Sequence, residues 1–130
     1  MKKLPVSYED VLSARERIRP WAGRTPVLTS SSLDSMTGGR LFFKCENFQK
    51  TGAFKFRGAV NAVFSLPQAE AERGVLTHSS GNHAAAIALA ARFRSIRAKI
   101  VMPRDAPRIK IDAVKTYGGE IVFCEPKPKA

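Results

Sequence analysis

Apolar positions divide this chain into alternating helices and strands. Apolar residues at spacings of three and four predict helices, whereas short continuous apolar runs bounded by glycine or proline predict strands. The segment 23–33 is predicted to be extended, because Pro26 keeps the residue before it out of helical geometry. The predicted helices cover residues 8–19, 53–66, 82–93 and 107–119, and the predicted strands cover residues 41–45, 74–80, 98–103 and 120–124.

The order of these elements predicts an α/β fold. A strand followed by a helix occurs three times, and a fourth strand completes the pattern. Because parallel strands need long crossover connections, this order indicates an open parallel sheet with crossover helices. The helix at 82–93 holds six alanines and is apolar on nearly every side, so it is predicted to be buried.

The strand at 120–124 raises the question of what covers it. Its sequence EIVFC is an almost continuous apolar run, which is typical of a strand covered on both faces. The six residues that follow contain no helix that could supply the cover. We therefore expect either a partner chain or a longer polypeptide to cover this strand, and we favour a fragment of a longer protein.

Composition and charge narrow the classes of function. With 130 residues, 44% of them hydrophobic, the chain is long enough for one domain with a core. It has no signal-peptide pattern and no apolar run of membrane-spanning length, so we expect a cytoplasmic location. Cys45 and Cys124 form no C-x-x-C pair, so we expect both to be reduced thiols. The net charge of +11 raises nucleic-acid binding as an alternative. No dense basic run or recognition motif accompanies that charge, which disfavours nucleic acid as a partner.

Two junctions between predicted elements carry residues suited to chemistry. At THSSGNH, residues 77–83, small polar residues lead from a strand into the alanine-rich helix. Backbone N–H groups at a helix start attract carboxylates and phosphates, so this junction indicates an anion site, with ordinary capping by Ser or Asn as the alternative. Two histidines, His78 and His83, lack the carboxylate or thiol neighbours of a metal site, so no metal site is predicted.

The other junction, KTGAFKFRGA at residues 50–59, places Lys55 between Phe54 and Phe56. Apolar neighbours and the positive charge of Arg57 disfavour a charged ammonium, and a neutral amine is the nucleophile that imine formation needs. The alternative is a lysine whose stem covers apolar surface while its charge stays in water. The residues alone leave both interpretations open.

Three stretches, LFFKCENFQKTGAFKFRGAVNAV, THSSGNHAAAIALAA and EIVFCEP, together resemble the fold-type II pyridoxal-phosphate enzymes. The group that they resemble most is the serine/threonine dehydratase (ammonia-lyase) and serine racemase family. The resemblance implies that residues 1–130 are the N-terminal portion of a catalytic domain, namely the start of its large domain plus a small-domain segment, with no separate second domain. It also implies a homo-oligomer for the full-length protein.

The resemblance assigns roles to residues of both junctions. Lys55 would carry the cofactor as an imine, Phe54 would lie against the cofactor ring, and Asn82 would donate to the cofactor's 3′-oxygen. Ser80 would face the opposite side of the bound substrate, whose carboxylate would be held by the loop Ser79, Ser80, Gly81, Asn82 and His83. In the racemase branch an ATP site and a divalent metal occur, and the positions matching that ATP site are Ser30, Ser31, Ser32, Lys50, Thr51 and Tyr117. The family usually has Gly-Gln or Ala-Gln where this chain has Ala84-Ala85, which puts contacts of this loop in doubt.

The implied reaction is the elimination of water from L-serine or L-threonine, which yields a 2-keto acid and ammonia. Lys55 would take the α-proton while the cofactor serves as electron sink, and Ser80 would move the proton on the other face in a racemase. In the family, the cofactor's phosphate loop, the partner of its ring nitrogen and the metal ligands lie further along than residue 130. We therefore expect the 130-residue chain to be inactive alone. The other class of function to consider is a non-catalytic remnant that binds a partner or regulates a homologue.

Overall fold

The computed structural model describes residues 5–126. These residues form six α-helices and five β-strands in the order α1 (Tyr8–Ile18), β1 (Val27–Leu28), α2 (Ser31–Thr37), β2 (Phe43–Lys44), α3 (Lys55–Ser65), α4 (Gln68–Ala71), β3 (Val75–His78), α5 (Asn82–Phe93), β4 (Ala98–Pro103), α6 (Arg108–Thr116) and β5 (Glu120–Cys124). No helix within this range combines the length and hydropathy of a bilayer-spanning segment.

A parallel sheet of three strands, in the order β3-β4-β5, forms the centre of the fold. β3 pairs with β4 from Val75 opposite Ala98, and β4 pairs with β5 from Lys99 opposite Glu120. The connections between these strands contain α5 and α6, as parallel pairing requires. The predicted α/β class with a parallel sheet and crossover helices is therefore confirmed.

The first predicted strand, at 41–45, lies outside this sheet. Only Phe43 and Lys44 are strand residues, and they pair antiparallel with Val27 and Leu28 of β1. An apolar run indicates a strand without indicating its partner, and here the short extended segment after Pro26 supplies that partner. The prediction that this strand begins the parallel sheet was wrong.

The segment 23–33, predicted to be extended throughout, turns into a helix at residue 31. The side chain of Ser30 accepts a hydrogen bond from the backbone N–H of Leu33, which satisfies one of the donors at the start of α2. Gly38 ends the helix in a left-handed conformation with φ of 68°. Pro26 restricts only Thr25, so it does not prevent a helix that begins at residue 31.

The hydrophobic core lies between the sheet, α3, α5 and α6. Residues 84–91 of α5 are all buried, which confirms the prediction of a buried helix. Its small side chains permit close packing: a Cβ on Gly119 would lie 2.7 Å from a methyl of Val114 and 3.0 Å from the Cβ of Ala88. The largest fully buried side chains are Phe56, Val60, Val63, Ile100, Met102 and Val114.

The N-terminal helix α1 is joined to this core through an aromatic cluster. Its start has a capping box, in which Ser7 and Asp10 each accept a hydrogen bond from the other's backbone N–H. After its end, the ring of Trp21 lies 4.7 Å from that of Phe64 and 5.3 Å from that of Phe93. Such contacts fix α1 against α3 and α5.

The predicted cover over both faces of β5 is not present within residues 5–126. Val122, Phe123 and Cys124 are exposed, and Ile121 is half-buried. At the opposite edge of the sheet, Leu76 of β3 is also exposed. The apolar sequence of β5 is thus unmatched by burial in the described part of the chain.

Candidate active site

Lys55 is the first residue of α3 and follows two 3-10 turns, Glu46–Phe48 and Lys50–Gly52. In the second turn, Thr51 and Gly52 have left-handed backbone, with φ of 65° and 68°. Glycine adopts this conformation readily, whereas threonine does so at a cost of about 1–3 kcal/mol. The strained turn brings the chain into the helix so that the Lys55 amine stands at the helix start.

The two phenylalanines beside Lys55 have opposite surroundings. Phe56 is fully buried in the core, whereas Phe54 is 60% exposed. Lys55 is itself exposed, and its Nζ lies 5.2 Å from the centre of the Phe54 ring. The sequence-based argument that both rings desolvate Lys55 was therefore wrong for the described residues, because one ring points into the core.

Arg57 also differs from its expected role as a like charge beside Lys55. Its guanidinium donates two hydrogen bonds of 2.8 Å to the carboxylate of Glu46. The hydrogen bond from Arg57 lowers the pKa of Glu46 from 4.5 to about 2. Burial opposes this shift, whereas a hydrogen bond from Thr25 and the charge of Lys44 add to it. The charge of Arg57 is thus compensated.

A buried glutamine extends this polar network. Gln49 is only 3% exposed, and its side chain donates to the carbonyl of Gly23 at 2.7 Å and accepts from its N–H at 2.9 Å. Arg57 donates to the same carbonyl at 3.1 Å. The network joins the segment before β1 to the start of α3 and so fixes the backbone next to Lys55. Sequence reasoning missed it, since a buried glutamine has no hydrophobic signature.

The start of α5 is not capped by a side chain. Gly81 occupies the N-cap position without a side-chain hydrogen bond, and Ser79 Oγ accepts from the N–H of Gly81 at 3.2 Å. Capping by Ser or Asn, the alternative to an anion site, is therefore wrong for this helix. Open space adjoins Gly81, where an added Cβ would meet no atom within 4 Å. The helix start can receive an anion.

His83 links the two junctions. Burial, followed by the positive charge of Lys55 and then the nearby His78, lowers the pKa of His83 below its usual 6.5. The helices that begin at Lys55 and Asn82 also pack on each other in the core, where Phe56 and Val60 of α3 belong to the same buried cluster as the alanines of α5. The two sequence motifs are thus brought to one place by the packing of α3 on α5.

A concave surface lies at the carboxyl ends of the three parallel strands. Its volume is about 480 Å³, and its lining includes His78, Ser79 and Ser80 after β3, Val101 and Pro103 of β4 and Cys124 of β5. In open α/β sheets, ligands bind at this edge. The predicted site residues Ser79 and Ser80 therefore line a cavity at the expected location.

Asn82, the first residue of α5, has a partner that the sequence did not suggest. The ammonium of Lys110, in the first turn of α6, donates to Asn82 Oδ1 at 2.5 Å. Lysine in the first turn of a helix opposes the helix dipole, and this was the available signal in the sequence.

The six positions assigned to nucleotide lie on three separate parts of the fold. Ser30 caps α2, whose first turn contains Ser31 and Ser32. Lys50 Nζ lies 4.9 Å from the ring centre of Phe93. The hydroxyl of Thr51 is buried without a hydrogen-bond partner, and Tyr117 is the C-cap of α6. The described contacts do not join these groups, so the nucleotide site stays a prediction.

A family profile described as "Pyridoxal-phosphate dependent enzyme" matches residues 18–130. The chain belongs to this family. Within residues 5–126, no three His, Cys, Asp or Glu side chains are placed to hold a metal ion.

Relatives of this pyridoxal-phosphate-dependent family member include both lyases and racemases. It is 58% identical over 120 residues to a beta-hydroxyaspartate dehydratase of Paracoccus denitrificans, covering 92% of this chain and 38% of that protein. It is 58% identical over 119 residues to a serine racemase of Oryza sativa, covering 89% of this chain and 35% of that protein. The structure of maize serine racemase matches with a TM-score of 0.93 and 52% identity, over 95% of this chain and 38% of that one. The chain thus spans little more than a third of the length of these relatives.

Proposed function

We propose that this chain supplies the imine-forming lysine and the substrate-carboxylate loop of a pyridoxal-phosphate-dependent enzyme that eliminates water from, or racemises, a β-hydroxy amino acid. The observation that carries the proposal is that an exposed lysine amine begins α3, and that α3 packs on α5, whose uncapped start follows the serines that line a cavity at the carboxyl edge of the sheet. The family match over residues 18–130 supports it.

The described residues fit this cofactor. The Lys55 amine is exposed and can reach an aldehyde, and the exposed Phe54 ring next to it offers an apolar face for a flat aromatic ring. The uncapped start of α5 suits an anionic oxygen. Bound there, pyridoxal phosphate would act as an electron sink for the carbanion formed at the substrate's α-carbon.

Each residue of the site then has a definable task. Lys55 exchanges a proton with the α-carbon through its Nζ, which the start of α3 and the Phe54 ring hold in place. The N–H groups at the start of α5, with Ser79 and Asn82, orient the substrate carboxylate. Ser80, exposed in the cavity lining, supplies a hydroxyl that moves a proton on the face opposite Lys55 in a racemisation.

The substrate class is a small amino acid with a β-hydroxyl. Serine and threonine are the substrates that we propose first, and the 58% identity to a beta-hydroxyaspartate dehydratase makes 3-hydroxyaspartate a further candidate. Elimination of water and hydrolysis would give pyruvate, 2-oxobutyrate or oxaloacetate, respectively, with ammonia. Racemisation would give the D-isomer of serine, as the name of the rice relative suggests for that protein.

We also propose that ATP regulates the enzyme by binding at the six positions assigned to a nucleotide above. The hydroxyl of Thr51 is buried without a hydrogen-bond partner, and Lys50 beside it is exposed. The exposed ammonium of Lys50 supports ATP as a ligand, with Thr51, Ser30, Ser31, Ser32 and Tyr117 as further contacts in an assembled site.

Borohydride trapping tests the central claim. The chain is incubated with pyridoxal phosphate and reduced, and peptide mass spectrometry measures the modified fraction at each lysine. Lys55 should be modified at lower cofactor concentration than the exposed Lys99, and Lys55→Arg, which keeps the charge but forms no imine, should abolish only the Lys55 peptide adduct. Equal modification of Lys55 and Lys99 would refute a built cofactor site and leave a non-catalytic role.

An activity assay addresses the expectation for the chain alone. We expect no steady release of 2-keto acid from L-serine or L-threonine by the 130-residue chain, because the family's phosphate-binding loop lies further along than these residues. Steady turnover by the isolated chain would overturn that expectation without affecting the role of Lys55.

A further inference from the structure

The first turn of α6 departs from the charge pattern that stabilises helices. It contains Arg108 and Lys110 and no acidic residue, although the start of a helix carries partial positive charge. Arg108 is compensated by Asp112 at 3.0 Å, whereas Lys110 forms no ion pair among residues 5–126. Its ammonium is held instead by the side chain of Asn82 across the gap between α6 and α5.

The chemistry of this contact fixes the orientation of the Asn82 amide. An ammonium has three donors and no acceptor, so only Oδ1 of the amide can face Lys110. The amide nitrogen, with its two donors, is therefore turned away from Lys110. Asn82 is the first residue of α5, so this amide belongs to the uncapped helix start described above.

We propose that Lys110 is a positioning residue that makes Asn82 a donor toward an anionic oxygen of the ligand at this site. The inference rests on the proposed function and adds to it a residue outside both sequence motifs. Without the ammonium, the amide can rotate and present its oxygen, whose lone pairs repel an anionic ligand oxygen. The positive charge of Lys110 also attracts the anionic oxygen of the ligand.

The test compares Lys110→Met and Lys110→Arg with Lys115→Met as a matched control. Lys115 lies in the last turn of the same helix and is exposed, so its replacement removes the same charge without touching Asn82. The probe is pyridoxal phosphate, and the readout is the concentration that half-modifies Lys55 before borohydride trapping. We expect about a tenfold rise for Lys110→Met, which corresponds to about 1.4 kcal/mol, and less than a twofold change for Lys110→Arg and Lys115→Met.

A second readout is independent of the cofactor. Side-chain ¹⁵N relaxation should show a more ordered Nδ2 group for Asn82 than for the exposed Asn47. In Lys110→Met the Asn82 group should become as mobile as that of Asn47, and in Lys110→Arg it should stay ordered. Equal mobility of Asn82 in the wild type and in Lys110→Met would overturn the positioning role.

The two readouts separate the possible failures. If the wild-type chain shows no preferred modification of Lys55, the proposed function fails, and the relaxation data still decide whether Lys110 orders Asn82. If Lys55 is modified as expected but Lys110→Met behaves as Lys115→Met does, the proposed function stands and the positioning role is refuted.

Discussion

The ion pair between Glu46 and Arg57 gives a stability prediction that depends on pH. The side chains are 18% and 31% exposed, and the pKa of Glu46 falls from 4.5 to about 2, chiefly through the hydrogen bond from Arg57. At about 1.36 kcal/mol for each pKa unit, this shift corresponds to about 3 kcal/mol of folding free energy. Partial screening by solvent reduces the expected effect of Glu46→Gln to a loss of about 2 kcal/mol at pH 7.

The sign follows from the direction of the shift. A carboxylate with a lowered pKa in the folded state contributes its full stability above the unfolded pKa, near 4.5, and loses it as the pH falls toward 2. The difference in unfolding free energy between wild type and Glu46→Gln should therefore be constant from pH 7 to pH 5. It should shrink to less than half at pH 3.

Urea denaturation followed by circular dichroism at pH 7, 5 and 3 measures this difference. Glu120→Gln is the matched control, because Glu120 pairs with Lys99 at 3.2 Å with both side chains more than half exposed, and should change stability by under about 0.5 kcal/mol. A Glu46→Gln loss below about 0.5 kcal/mol at pH 7, or a loss that stays constant down to pH 3, would show that the pair does not stabilise the start of α3.

Two further predictions concern the surroundings of Lys55. Phe56→Ala should destabilise the fold by about 3–5 kcal/mol because the ring is fully buried. Phe54→Ala should cost under about 1 kcal/mol of stability yet weaken cofactor trapping at Lys55, since this ring is exposed. Thermal unfolding and borohydride trapping measure the two effects, and similar losses of stability for both variants would contradict the prediction. An NMR titration of His83 should give a pKa below 6.5. In Lys55→Met this pKa should rise, because the variant removes a neighbouring positive charge. An unchanged pKa of His83 in the variant would show that Lys55 does not act on it.

The parts of the fold that follow from local periodicity could be predicted from the sequence. The alanine-rich α5 has an unambiguous apolar pattern, and its burial follows from the small size of its side chains. The partner of β2 could not be predicted, because strand pairing depends on residues distant in sequence, and two-residue strands have little pattern. The helix at Ser31–Thr37 was missed for a different reason: the extended preference at Pro26 was carried too far along the chain, whereas it applies only to Thr25.

The candidate site was predictable in its residue types and not in its electrostatics. The sequence indicated Lys55 and the loop 79–83, and in the structure the helices that follow Lys55 and this loop pack on each other. It did not indicate that Arg57 is compensated by Glu46, because the partner lies eleven positions away beyond two turns. Nor did it indicate Lys110, which lies twenty-eight positions from Asn82. Side-chain partners across helices depend on packing angles that no local pattern contains.

The described helices differ in whether their own side chains stabilise the helix start. α1 has a capping box and two acidic residues in its first turn, the arrangement that stabilises an isolated helix start. In contrast, α3, α5 and α6 have neither a side-chain cap nor an acid in the first turn, and α3 and α6 carry the cations Lys55 and Lys110 there. Each of these three starts would be stabilised by an added acid, so their shared positive character costs folding stability. A bound anion would supply the missing negative charge at such a start, and the start of α5 directly follows the serines that line the cavity at the carboxyl edge of the sheet.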